Sequence, residues 1–136
     1  MELKPIDILS KYYGYSSFRK GQENIINSII DNKDVLAIMP TGGGKSICYQ
    51  VPALCLDGIT IVISPLISLM KDQVDNLRAS GIEATYINSS LSQNEYLKIL
   101  NDIKEDKYKL LYVAPERLDS REFMDLVKDK NISQVA

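Results

Sequence analysis

The segment that most constrains the fold of this chain is residues 39–46, MPTGGGKS, which join an apolar run to a helical pattern. Three adjacent glycines, Gly42, Gly43 and Gly44, permit positive φ angles and let backbone N–H groups approach phosphate oxygens without a Cβ in the way. A helix that begins near Lys45 would point its N-terminus at the same anion. The segment therefore predicts a phosphate-binding loop.

The end of this loop carries the residues with the most specific chemistry. Lys45 would reach the β- and γ-phosphates as a mobile charge, and the Ser46 hydroxyl would be a ligand of a Mg²⁺ ion that bridges them. The strict pattern G-x-x-x-x-G-K-[ST] has glycine where this chain has Met39, so the match is incomplete. An ordinary glycine-rich turn is the alternative, but it explains neither the Gly-Lys-Ser order nor the strand and helix predicted around it. We therefore expect a nucleoside triphosphate site, with catalytic roles for Lys45 and Ser46.

Length and composition set broad limits on the class of protein. The 136 residues fit one domain, and the net charge is −2 with scattered Lys and Arg, which counts mildly against a nucleic-acid partner without excluding it. The sequence has neither a secretory signal nor an apolar stretch long enough to span a bilayer, so we expect a cytoplasmic protein. Cys48 and Cys55 are seven residues apart on one predicted helix, too distant for a disulfide, which favours a packing role.

Hydrophobic periodicity predicts an alternation of helices and strands. Apolar residues at helical spacing predict helices over residues 5–14, 21–31, 45–56, 66–79, 92–103 and 120–127. Apolar runs predict strands over residues 35–39, 59–63, 84–87 and 110–113, with a further apolar run at 132–136. Leu69, Met70, Val74 and Leu77 are expected on the apolar side of one helix, and Leu97 among those of another. The alternation predicts an α/β fold, a parallel sheet with helices on both faces.

The segments that follow the predicted strands are rich in small polar residues. They are residues 64–68, 88–90 and 114–118. In a parallel sheet, ligands gather outside the carboxyl ends of the strands, and hydroxyl and amide groups there can hold a phosphodiester backbone without reading its sequence. For Ser64, Ser90 or Ser92 taken singly, a role in capping a helix is the simpler explanation. Their joint position at one edge favours a binding surface.

Four blocks in this order resemble the RecQ-family DNA helicases of helicase superfamily 2. Residues 13–22 (YGYSSFRKGQ) resemble motif 0, residues 39–50 (MPTGGGKSICYQ) motif I, residues 64–74 (SPLISLMKDQV) motif Ia, and residues 112–118 (YVAPERL) the next block. Met39 is usual at its place in this family, whereas Lys20 departs from a common proline. The resemblance implies the amino-terminal part of a first RecA-like P-loop motor domain that is incomplete at its C-terminus. Residues 1–33 would carry the motif 0 helices and residues 34–136 the P-loop sheet core.

The resemblance also implies roles for individual residues in binding ATP and Mg²⁺. Gln22 would read adenine through its N6 and N7, and Tyr15 and Arg19 would sandwich the base. Core packing between the first two helices is the alternative for Tyr15 and Phe18, and we expect it for Phe18. The phosphates would be held by Thr41, Gly42, Gly43, Gly44, Lys45 and Ser46.

For the whole protein, the resemblance implies ATP hydrolysis coupled to 3′-to-5′ movement along single-stranded DNA and to duplex unwinding in repair and recombination. Other helicase domains of the same chain would be its partners, and an acidic DEAH-type block would follow residues 132–136. Without that block, we expect the 136 residues alone to bind nucleotide weakly and to hydrolyse little or none. Contacts with DNA would come from Ser64, Pro65, Leu66, Ser68, Asn88, Ser89 and Arg117.

Three other classes of protein are alternatives to this interpretation. A P-loop switch or small-molecule kinase is disfavoured, because Asn32-Lys33-Asp34 resembles a guanine-reading motif only faintly and precedes the phosphate loop. A binding module that has lost hydrolysis is disfavoured by the retained Lys45 and Ser46. An RNA helicase of the same superfamily is disfavoured by the RecQ-like sequence motifs around Gln22 and Ser64.

Overall fold

The computed structural model describes residues 4–39 and 44–136. The chain divides into two compact units, Met1–Asp57 and Gly58–Ala136. Within the described ranges, every helix is too short or too polar to cross a membrane.

The described part of the first unit consists of helices joined by loops. Helix α1 (Pro5–Ile8) begins at a proline, whose fixed φ suits the first turn, and it continues into a π-helical turn, Leu9–Tyr13, that ends at Gly14 with φ of 75°. Helix α2 spans Gln22–Ile30 and helix α3 spans Lys45–Cys55. All three predicted helices of this unit are confirmed.

The core of the first unit lies where α1, α2 and α3 meet. Ile8, Ile26 and Val51 are fully buried at its centre. Phe18 packs against this cluster, as predicted. Cys48 is buried and Cys55 is half-buried, which fits the packing role predicted for both.

The strand predicted over residues 35–39 is wrong for this structure. These residues form no strand, and Leu36 and Ile38 are each 90% exposed. The apolar run has the composition of a strand, but a strand also needs a neighbour to satisfy its backbone N–H and C=O groups. None of the residues at 4–39 and 44–136 supplies that neighbour.

The second unit is built around a four-stranded parallel sheet. Its strands are β1 (Ile59–Ile63), β2 (Ala84–Ile87), β3 (Leu110–Val113) and β4 (Ile132–Val135), in the spatial order β2-β3-β1-β4. Every pairing is parallel; for example, β1 and β3 place Ile61 beside Leu111. The predicted parallel α/β architecture is confirmed.

Helices cover this sheet and form its core. They are α4 (Ile67–Ala79), α5 (Gln93–Lys104) and α6 (Arg121–Lys128), and a short 3₁₀ turn, Pro115–Arg117, precedes α6. Residues of α5 and α6, including Tyr96 and Phe123, pack on one face of the sheet. The alternate residues on the opposite face are buried as well: Thr60, Val62, Leu110 and Tyr112. Burial on both faces explains why β1 and β3 are continuous apolar runs.

The sequence signals at the helix starts are confirmed, but two leucines are not where they were expected. Ser92 and Glu95 form a capping box at the start of α5. Leu69 and Leu97 are 46% and 47% exposed, whereas Met70, the residue after Leu69, and Leu100, three residues after Leu97, are buried. The buried sets are spaced i, i+4 and i+7, and a residue one place off such a stripe is rotated by about 100° around the helix. They are Met70, Val74 and Leu77 in α4, and Tyr96, Leu100 and Ile103 in α5.

We expect Gly58→Ala to destabilise the chain much more than Gly81→Ala. Both glycines have positive φ, 97° and 86°, so alanine costs about 1–2 kcal/mol of backbone strain at either position. At Gly58 a Cβ would also lie 2.4 Å from the carbonyl oxygen of Asn131, whereas at Gly81 it would meet nothing within 4 Å. The clash should add about 1–3 kcal/mol to the loss of unfolding free energy, measured by urea denaturation. Equal losses in the two variants would contradict the close approach at Gly58.

Candidate functional site

The first candidate site is the N-terminal end of α3. Gly44 precedes the helix with φ of 79° and itself provides no side-chain cap for the N–H groups of the first turn. Lys45 is exposed at the first position of the helix, and Ser46 is half-buried at the second. This combination of amide hydrogens, an ammonium and a hydroxyl suits a phosphate group. The predicted contributions of Thr41, Gly42 and Gly43 lie outside the described residues.

Gln22 ties α2 to this end of α3. Its side chain is only 1% exposed; Oε1 accepts a hydrogen bond from the N–H of Arg19 at 2.8 Å, and Nε2 donates one to the carbonyl oxygen of Gly44 at 3.1 Å. A Cβ on residue 44 would lie 2.4 Å from Nε2, so this approach requires glycine. The structure therefore brings Gln22 to the residue that precedes Lys45.

Residues 14–21 form the loop that carries the other residues predicted to bind a base. The loop begins and ends with glycines of positive φ, Gly14 at 75° and Gly21 at 88°. Between them Tyr15 is 52% exposed and Arg19 is exposed. Both side chains can therefore be reached from solvent, and the stacking of a base between them stays a prediction.

A second link between this loop and α3 was missed from the sequence. The Tyr13 hydroxyl donates a hydrogen bond to Oε1 of Gln50 at 2.7 Å, and Gln50 is 3% exposed. Burial, and to a smaller degree the neighbouring Tyr49, raises the pKa of Tyr13, so its hydroxyl keeps the proton that it donates. The sequence signal that could have indicated this bond is a polar residue, Gln50, between the aromatic and apolar residues Tyr49 and Val51 of a helix.

The described residues offer few ligands for a metal ion. Across 4–39 and 44–136, no group of three or more His, Cys, Asp and Glu side chains could hold one. Ser46 fits the role of a single hydroxyl ligand, since Mg²⁺ in such sites takes most of its other oxygens from phosphate and water. Cys48 fits packing better than metal binding, because its Sγ lies 3.8 Å from Sδ of Met39 and burial raises the pKa of its thiol.

The second candidate site is the edge of the sheet where β1, β2 and β3 end. Ser64 donates its N–H to the carbonyl of Val113 at 3.1 Å, and Ala114 donates its N–H to the carbonyl of Ile87 at 3.0 Å. The three strand ends are thus adjacent, and the segments that follow them share one edge. The structure brings together the segments of the predicted DNA-contacting residues. Of these, Pro65, Leu66, Ser68 and Ser89 are exposed, Ser64 and Arg117 are half-buried and Asn88 is buried.

The side chain of Asn88 stabilises this edge from inside. It is 1% exposed; Oδ1 accepts hydrogen bonds from the N–H of Ser90 at 2.8 Å and from the Ser90 hydroxyl, and Nδ2 lies 3.6 Å from Sδ of Met70. These contacts fix the turn after β2. Ser92 has the capping role that was considered for it, whereas Ser90 bonds to Asn88 instead of capping a helix.

Arg117 is also held by neighbours within the unit. Its guanidinium lies 4.5 Å from the centre of the Tyr96 ring, and Nη2 donates to the carbonyl oxygen of Asn88 at 3.3 Å. The Tyr96 hydroxyl bonds to Ser120, the residue that caps α6. Arg117 therefore joins the segments after β2 and β3 through one planar cation.

Comparison with known proteins defines the class of this chain. A family model described as DEAD/DEAH box helicase matches residues 19–135. The chain belongs to the DEAD/DEAH box helicase family. A crystal structure titled hypothetical ATP-dependent RNA helicase from Sulfolobus tokodaii superposes with a TM-score of 0.66 over 90% of this chain and 37% of that chain, at 20% identity. That likeness confirms the helicase-type α/β fold.

Relatives at higher identity include bacterial proteins that are named as DNA helicases. The chain is 49% identical over 131 residues to the ATP-dependent DNA helicase RecQ of Haemophilus influenzae, covering 96% of this chain and 21% of that protein. It is 53% identical to the protein of the same name from Bacillus subtilis, covering 95% of this chain and 22% of that protein. The chain thus spans about a fifth of the length of these relatives. The sequence-based resemblance to this family is confirmed.

We expect Arg117→Lys to lower the unfolding free energy by about 1 kcal/mol, although it keeps the charge. Lysine loses the planar stacking on Tyr96 and the geometry of the bond to Asn88. Urea denaturation measures the effect, and Arg121→Lys, at an exposed arginine on α6, is the matched control. In a Tyr96→Leu background the cost of Arg117→Lys should largely vanish. An undiminished cost in that background would contradict the stacking.

Proposed function

We propose that this protein is an ATP-dependent DNA helicase of the RecQ type. The observation that carries the proposal is identity of about half over almost the whole chain to relatives named ATP-dependent DNA helicase RecQ, from Haemophilus influenzae, Pasteurella multocida and Bacillus subtilis. In this proposal residues 1–136 bind the nucleotide and form part of the DNA path. Remaining helicase domains, in a cytoplasmic protein, complete the motor.

ATP is the proposed nucleotide, and the N-terminus of α3 its phosphate site. Lys45 would neutralise the β- and γ-phosphates, and Ser46 would be a ligand of Mg²⁺. The bound ion would supply positive charge that offsets the negative charge on the phosphates during hydrolysis. Thr41, Gly42 and Gly43 complete the proposed loop.

The adenine is proposed to bind at Gln22, between Tyr15 and Arg19. The hydrogen bonds to Arg19 and Gly44 use one lone pair of Oε1 and one hydrogen of Nε2. A side-chain amide has a second of each, and these are what the N6 and N7 edge of adenine requires. The contact to Gly44 supports a single site for base and phosphates.

The proposed path of single-stranded DNA follows the strand-end edge of the second unit. Exposed Ser68 and Ser89, half-buried Ser64 and the held guanidinium of Arg117 suit contact with a sugar-phosphate backbone without readout of sequence. ATP hydrolysis would drive 3′-to-5′ movement along this strand and separation of the duplex ahead. Repair and recombination of DNA are the proposed uses of this activity.

We expect Lys45→Ala and Gln22→Ala to affect different parts of a bound nucleotide. Isothermal titration calorimetry with ATP, GTP and inorganic tripolyphosphate separates the two effects. Lys45→Ala removes the ammonium and should abolish binding of all three. Gln22→Ala should leave tripolyphosphate binding intact and reduce the preference for ATP over GTP by the worth of one bidentate contact, about 1–3 kcal/mol.

Asn24→Ala, at an exposed position two residues further along α2, is the control for Gln22→Ala. Unchanged affinity for ATP in Lys45→Ala would remove the phosphate site. An unchanged preference for ATP in Gln22→Ala would remove the adenine site and leave the phosphate site standing.

We expect binding of single-stranded DNA by the full-length protein to weaken as salt rises. The logarithm of affinity should fall by about 0.7 per phosphate neutralised for each tenfold rise in salt concentration. Arg117→Gln should make this slope shallower by about 0.7, measured by fluorescence anisotropy with an oligonucleotide. Arg121→Gln on α6 is the control with the same loss of charge. A slope that Arg117→Gln leaves unchanged would show that Arg117 neutralises no phosphate.

A further inference from the structure

We propose that Tyr13 and Gln50 are positioning residues for the adenine site, because their hydrogen bond fixes the start of the loop that carries Tyr15 and Arg19. This inference rests on the proposed function, since it assigns a role within the adenine site described above. It concerns residues that would not themselves touch the nucleotide.

The loop of residues 14–21 is anchored at both ends to the same helix. At its far end, Gln22 donates to the carbonyl oxygen of Gly44 at 3.1 Å. At its near end, Tyr13 donates to Gln50 at 2.7 Å. With a rise of about 1.5 Å per residue, the two anchor points on α3 are about 9 Å apart along the helix axis. The two ends of the loop are therefore joined to two points of α3, and neither end can separate from that helix without breaking a hydrogen bond.

Both anchors are shielded from water. Gln22 and Gln50 are 1% and 3% exposed. The Tyr13 ring packs against the core cluster of Ile8, Ile26 and Val51, so the hydroxyl approaches Gln50 from a fixed direction. A hydrogen bond between buried groups is costly to break, because the separated groups do not regain water. By contrast, Tyr15 is 52% exposed, so its position depends on the anchors more than on its own packing.

The helix that receives both anchors is the one whose N-terminus is the proposed phosphate site. Lys45 is its first residue and Gln50 its sixth. A helix of this length is a rigid body on the scale of one nucleotide, so the distance between the phosphates and the stacking residues is set by α3. The Tyr13–Gln50 bond then affects the affinity for the base and does not change the affinity for the phosphates.

The backbone before the loop supports a specific placement of Tyr13. Residues Leu9–Tyr13 form a π-helical turn, which is uncommon and accommodates one extra residue per turn, and Gly14 ends it in the left-handed conformation. Tyr13 is the last residue of this turn. Its hydroxyl is the group of this turn that bonds to Gln50.

Tyr13→Phe tests the proposal, because it keeps the ring and removes only the hydroxyl. In the full-length protein we expect the dissociation constant for ATP to rise about 3- to 10-fold, the range for one net hydrogen bond, while that for inorganic tripolyphosphate changes less than about 2-fold. Tyr12→Phe, the same chemical change one residue earlier in the same π-helical turn, should change neither constant. Calorimetry on each preparation gives both constants, so a loss of folded protein lowers the stoichiometry for both ligands and leaves their ratio unaffected.

Gln50→Leu provides a second, independent variant. If the two residues act through one hydrogen bond, Tyr13→Phe should have little further effect on ATP affinity in the Gln50→Leu background. Full additivity of the two changes would overturn the proposal. So would an equal loss of ATP and tripolyphosphate binding in Tyr13→Phe, which would show a general structural role, or no loss of either.

Gln22→Ala in the same titrations separates failure of this inference from failure of the proposed function. A reduced preference for ATP in Gln22→Ala, with no selective effect of Tyr13→Phe, would leave the adenine site standing and remove only the role of Tyr13 and Gln50. An unchanged preference in both variants would remove the adenine site and this inference together.

Discussion

The hydrogen bond between Gln22 and the carbonyl oxygen of Gly44 is the contact on which the candidate nucleotide site depends. It joins a buried amide to the residue before Lys45, and both polar groups of that amide are bonded to backbone. A buried polar group that loses its hydrogen-bond partner costs about 1–3 kcal/mol of stability. The arrangement in which Gln22 keeps both bonds is therefore favoured over arrangements in which it loses one. Glycine suits position 44 on two grounds, its positive φ and the closeness of Nε2, which a Cβ would displace. The same glycine that suits a phosphate loop thus also admits Gln22.

At the strand-end edge of the second unit, polar side chains are likewise bonded to the protein's own backbone. Asn88 and Arg117, predicted as contacts to DNA, direct much of their hydrogen-bonding capacity to other parts of the protein. This fixes the backbone of neighbouring turns before any ligand arrives, which lowers the entropic cost of binding. The net charge of −2 provides no overall positive field to attract a polyanion. The DNA contact proposed for this edge would therefore depend on few charges and on a preorganised backbone.

The sequence predicted most of the fold and only part of the site. Strands β1, β2 and β3 were predicted with their observed bounds. Each is a short apolar run between turn residues, which leaves little choice of where the strand begins and ends. The strand predicted over residues 35–39 was wrong because a strand needs a second segment to pair with. The apolar composition of one segment does not show whether such a partner exists. In the site, the glycine-lysine-serine order was local and could be recognised. The bonds from Tyr13 to Gln50 and from Arg117 to Asn88 join residues 37 and 29 positions apart, and no local pattern predicts them.

The two anchors of the loop at residues 14–21 differ in how they can respond to a bound base. A side-chain amide has two donors and two acceptor positions, so Gln22 can keep its bonds to the backbone and still bind an adenine edge. The Tyr13 hydroxyl has a single hydrogen, and Gln50 takes it. Burial raises the pKa of Tyr13, so deprotonation does not release this bond at neutral pH. Both ends of the loop are thus held, and only the Gln22 anchor has an amide whose further hydrogen-bonding capacity suits the proposed base.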